Sequence, residues 1–146
     1  MNIGNTLNKV ILKYELDLDF VLIAITSSLK DYRLCYFINK FTGLELAKTD
    51  DHEIWLSSSE GQKYFSRYAA VSESDETEYY LLSNRSPEGG ILIPEMKHSD
   101  YFFMIRNFID DEDLEVLLAA TNEIPEVVVA SEISPQKLKS KENLIF

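Results

Sequence analysis

The run Phe20-Val21-Leu22-Ile23-Ala24-Ile25 constrains this chain most. It offers no polar residue, and Val21, Ile23 and Ile25 are β-branched, which is the make-up of a central strand. It is far too short to span a bilayer. Just ahead of it, "VILKYELDLDF" (Val10 to Phe20) sets Glu15, Asp17 and Asp19 between Leu16, Leu18 and Phe20. That period of two predicts a half-buried strand leading into the first.

The period then changes. Leu34, Phe37, Ile38 and Phe41 fall at i, i+3, i+4 and i+7, one apolar stripe, with Asp31 as the cap and Gly43 as the left-handed stop. Short strands are expected at Leu44 to Ala47 and Glu53 to Leu56, around the polar turn Lys48 to Asp51. Tyr64 to Val71 and Tyr79 to Ser83 read as strands on either side of the acidic loop "SESDETE". "NRSPEGG" punctuates the next turn, before two more strands at Ile91 to Ile93 and Tyr101 to Ile105. Asp110-Asp111-Glu112-Asp113 opens a second helix with negative charge at its positive end; Leu114, Leu117, Leu118 and Thr121 line its inner face. Pro125 limits it, Val127 to Ala130 form a last strand, and Ser134-Pro135 starts a short helical turn in a tail of about 134–146. With no seam and no repeat, residues 1–146 predict a single α+β domain: an antiparallel β-sheet meander with two main helices packed on it.

Charge narrows the partners. Lys+Arg total 14 and Asp+Glu 25, a net −11, which repels phosphate backbones and anionic membrane surfaces alike. Neither nucleic acid nor membrane is expected; a protein partner or a homo-oligomer fits better. Cys35 is the lone cysteine, so no internal disulfide forms and a reducing compartment suits the chain. The start Met1-Asn2-Ile3-Gly4-Asn5 shows no cationic segment followed by an apolar block, and the expected location is cytoplasmic.

Few residues suggest chemistry. Glu95, His98 and Asp100 bring two acids and an imidazole into "ILIPEMKHSDYFFMI" (Ile91 to Ile105), the raw material of acid–base or metal chemistry. The competing reading has both acids locking a bend through bonds to backbone amides, and Pro94 marking where strand pairing stops. Glu15, Asp17 and Asp19 could face a hard cation but lack the glycine turn of a calcium loop, and read as a solvated strand face. His52 and His98 have no second ligand at zinc spacing, Cys35 lies among apolar helix residues, and Ser57-Ser58-Ser59 reads as a turn. No catalytic residue, metal or cofactor is predicted. What remains is surface: tyrosines, the acidic runs "SESDETE" and "DDEDLE", and the ending Leu144-Ile145-Phe146, whose apolar side chains and free carboxylate fit a groove of this fold or of a partner. The expected function is a non-catalytic protein-interaction or regulatory module. A small enzyme built on Glu95, His98 and Asp100, or an acidic mimic of nucleic acid that occupies a basic protein, are the alternatives.

Ile93-Pro94-Glu95, three residues, then Ser99-Asp100-Tyr101 resembles the signature for which the IPExxxVDY family is named, with Ser99 in the place of valine. "KDYRLCYFIN" (Lys30 to Asn39, including Arg33) and the ending "KLKSKENLIF" are similar to that family's pattern at matching places. The resemblance implies a small bacterial protein with no assigned activity. It marks Ile93, Pro94, Glu95, Asp100, Tyr101, Arg33, Leu144, Ile145 and Phe146 as motif or interaction residues.

Overall fold

The computed structural model describes residues 19–72 and 76–146. Its strands are β1 (Phe20–Ser27), β2 (Ala47–Lys48), β3 (His52–Ser57), β4 (Gly61–Phe65), β5 (Arg67–Val71), β6 (Glu78–Ser83), β7 (Tyr101–Arg106) and β8 (Val127–Ile133). Two helices, α1 (Asp31–Thr42) and α2 (Asp111–Asn122), and three short 3₁₀ turns complete it. The fold is α+β. Six strands form one sheet in the order β2-β5-β6-β7-β1-β8, and β3 pairs with β4 in a separate hairpin. All of these pairings are antiparallel. β5, β6 and β7 run as a meander; β1 breaks the sequence order by inserting between β7 and β8.

The apolar run behaves as a central strand does. Ile23 and Ile25 enter one core with Leu34, Cys35 and Ile38 of α1 and Leu117 of α2. Leu22 and Ala24 enter the other, with Phe65, Leu92, Ile93, Leu138 and Leu144. β7 divides in the same way, Phe103 and Ile105 against Phe102 and Met104. The sheet is therefore covered twice. Helices cover one face; the β3–β4 hairpin, the segment before β7 and the tail cover the other.

Both helices match expectation with one shift. Asp110 caps α2 by accepting from the Asp113 amide at 2.8 Å, and Gly43 (φ 82°) ends α1 with its N–H on Asn39 O. Asp31 does not cap α1, because Lys30 holds that position; the Asp31 carboxylate instead accepts from Tyr68 Oη at 3.1 Å. The strand readings need more correction. β2 is displaced to Ala47–Lys48 and pairs with β5, not β3. The expected strand at Tyr64 to Val71 splits at Ser66, so its first half belongs to the hairpin and its second to the main sheet. Ile91 to Ile93 forms a single bridge, Arg85 to Ile91, because Leu92 and Ile93 turn into the core instead. Gly90 (φ 105°) sits at that turn, where a Cβ would meet Leu56 Cδ1 at 2.8 Å. The expected strand ahead of Phe20, with Glu15 and Asp17, lies outside the described residues. No helix among those described is long and apolar enough to cross a membrane.

Candidate functional site

Within Ile93 to Tyr101, Ile93, Ser99 and Tyr101 are buried, Asp100 is half-buried, and Pro94 and Glu95 are exposed. Ile93 is fully buried, and Pro94 opens a 3₁₀ turn, Pro94–Met96. Glu95 accepts from the Ser140 amide at 2.7 Å and the Ser140 hydroxyl at 2.9 Å, so its carboxylate ties the tail to this turn. Asp100 donates its amide to Ile25 O at 2.8 Å; its Oδ2 accepts from the Ser27 amide at 2.9 Å, and its Oδ1 lies 3.6 Å from Arg85 Nε. Tyr101 is buried and donates its hydroxyl to Leu29 O at 2.6 Å, and burial pushes the phenol up to about 12. Ser99, in the valine position, is also buried, and its carbonyl accepts from Asn84. Asn84 is the keystone of the segment. Its side chain is fully buried, donating to Met96 O (3.0 Å) and Ser99 O (2.8 Å) and accepting from the Ile93 amide (2.8 Å).

His98 does not join the two acids. Its side chain is exposed, and its backbone oxygen accepts from Thr26 Oγ1 at 3.3 Å. The segment thus holds two carboxylates, each engaged by a different part of the backbone, and gathers no acid–imidazole pair. Among the described residues no group of three or more His, Cys, Asp or Glu could hold a metal ion.

The tail docks on its own chain. Leu138 and Leu144 are buried in the second core, Asn143 Nδ2 donates to Leu92 O at 2.8 Å, and Asn143 O meets His52 Nε2 at 2.6 Å. The Phe146 ring carries two guanidinium groups over it, Arg67 at 4.8 Å and Arg106 at 5.2 Å, and packs perpendicular to Tyr80 and tilted against His52. Arg106 also donates to the backbone oxygen of Phe146. Ile145, half-buried, closes the last 3₁₀ turn by donating its amide to Glu142 O. Burial pushes the His52 imidazole below its ordinary value, so the ring is neutral at the tail. Cys35 is likewise an interior group: its thiol donates to Leu46 O and burial raises its pKa.

Arg33 is exposed, as Pro94 and Glu95 are, but it stands apart from them on the outer side of α1. It lies on the arc of α1 opposite Leu34 and Ile38, beside Tyr32 (60% exposed), Tyr36 (59%) and Lys40. Its guanidinium covers the Phe37 ring at 5.6 Å, and Tyr36 packs edge-on against the same ring at 5.2 Å. Arg33 and Tyr36 are thus both packed on Phe37. Sequence reasoning missed Tyr32 and Tyr36, although the signal was available: they recur at i and i+4 on the side a globular helix normally gives to polar residues. Two amphipathic rings and two cations on one ridge can recognise an acidic, partly apolar surface. Comparison with known protein families, curated proteins and solved structures returned no match.

Proposed function

We propose that this chain is a non-catalytic protein-interaction module of the cytoplasm that works through the outward ridge of α1. The observation that carries the reading is the pair of exposed tyrosines flanked by Arg33 and Lys40 on a chain of net charge −11. Tyrosine and arginine are the side chains that concentrate binding energy at interfaces. The resemblance to the IPExxxVDY family fits this reading if the signature supplies the frame: Glu95, Asp100 and Tyr101 serve the backbone of this chain and leave recognition to another surface. Capture from native lysate by intact protein and by a Tyr32→Ser/Tyr36→Ser variant tests it. Bound protein that disappears with the variant supports the module; equal capture by both, or none by either from a chain that also fails to self-associate, removes its basis.

A further inference from the structure

We infer that the ridge of α1 docks on α2 of a second copy of this chain, in a two-fold pair. The inference rests on the interaction-module reading and names its partner. The helices lie side by side on one face of the sheet, and their outward ridges differ in kind. α1 presents Tyr32, Arg33, Tyr36 and Lys40, with no acid among the exposed positions. α2 presents Glu112, Glu115, Val116, Ala119 and, at its end, Glu123, all exposed, Val116 at 68%. None of Arg33, Lys40, Glu112, Glu115 and Glu123 has an ion-pair partner among the described residues. Glu123 follows the last turn of α2, where the helix dipole disfavours negative charge, so helix stability does not explain it.

When two such layers face each other about an axis running along the groove between the helices, each α1 meets the partner's α2 and each α2 the partner's α1. One contact made twice closes the pair. Cations then oppose acids, and tyrosine rings oppose Val116 and Ala119. A hollow of about 210 Å³ beside the helices, lined by Phe41, Leu44, Val116 and Ala120 with Thr42, Tyr79 and Asp113, offers a tyrosine both apolar contact and polar partners.

Sedimentation equilibrium of the full chain at physiological salt, with two charge-reversed variants, tests the inference. Wild type is expected to be a dimer. Arg33→Glu/Lys40→Glu and Glu115→Lys/Glu123→Lys should each weaken self-association by roughly tenfold or more, through like-charge contacts. Mixed one to one, the variants should recover a dimer, because each then meets its opposite at both contacts. Circular dichroism checks that both remain folded, as expected for exposed positions. A wild-type monomer at about 100 μM, a dimer indifferent to both reversals, or a mixture that stays monomeric overturns it. A monomeric wild type that still captures a protein through Tyr32 and Tyr36 leaves the interaction-module reading standing and removes the two-fold pair alone.

Discussion

The two faces of the sheet are covered by different means. On one, α1 and α2 satisfy most of their own backbone groups and need only lay an apolar stripe on Ile23, Ile25, Phe103 and Ile105. On the other, the cover is a hairpin, a turn and a tail, whose backbones have few ladders to join. Buried backbone groups must still be paired, and here side chains pair them: Asn84 for Ile93, Met96 and Ser99, Asn143 for Leu92, and Glu95 for Ser140. The difference accounts for where Asn84, Glu95 and Asn143 lie, all on this second face. An irregular cover is held by a handful of polar side chains, each meeting particular backbone groups.

The largest effect should come from breaking the keystone. Asn84→Ala leaves the buried Ile93 amide and Ser99 carbonyl without their partner, while Met96 O keeps the Ser99 amide; at about 1–3 kcal/mol for each orphaned group, a loss on the order of 4 kcal/mol is expected in denaturant unfolding. Asn39 on the helix face makes a comparable pair of bonds, accepting from Leu46 N and donating to Leu46 O, but in a part-buried place that water reaches. Asn39→Ala should cost about 1–2 kcal/mol. Equal losses at the two sites would erase the contrast between the faces.

Next in size is the tail. Leu144 is 1% exposed, and Leu144→Ala should cost about 3 kcal/mol in lost transfer and cavity terms. Its location matters more than its size. Limited proteolysis should cut the variant within residues 134–146 at concentrations of protease that leave α2 intact, because the tail is joined to the sheet by separate polar ties. Simultaneous cleavage in both regions would show that the two covers open as one unit.

Legibility followed the same divide. Both helices could be read from the sequence because a 3.6-residue stripe carries its own boundary signals, Asp110 at one end and Gly43 at another. β1 and β7 were legible from their apolar runs. Hidden were the break at Ser66 and the loss of a strand at Ile91 to Ile93, since period-two patterns say which face is buried but not which partner is chosen. The acids around Pro94 were expected to lock a local bend; both accept from backbone amides, but from those of Ser27 and Ser140, remote in the chain. That Glu95 would hold Ser140, 45 residues on, lies in the tertiary structure, where no local spacing records it. The α1 ridge was hidden for a simpler reason: an apolar stripe is the signal a helix gives, and tyrosines on the opposite side fall outside that pattern.

The smallest predicted effect is selective in its first stage, because acid should loosen the tail face first, and in two steps. Burial pushes the His52 imidazole down, the bond to Asn143 opposes this, and the nearby Arg67 adds to it. A base with a lowered folded pKa favours the neutral form, so its contribution is complete above about 6.5, the ordinary imidazole value, and is lost as pH falls through the lower folded one. For Glu95 burial acts upward, but the bonds from Ser140 N and Oγ and from neighbouring amides outweigh it and hold the carboxyl low. Its contribution is complete above about 4.3 and is lost as pH falls through that depressed value. Because Glu95 is exposed, solvent screening keeps its share to about 1 kcal/mol or less. Hydrogen exchange at Ser140 and Asn143, followed from pH 7 downward, should show protection falling first with His52 and then with Glu95. Glu95→Gln should remove the second step and leave the first. The α2 amides should keep their protection through the first step, since no histidine lies on that helix; protection lost there in step with Asn143 would mean that the two faces share one opening, and the contrast between them would fall.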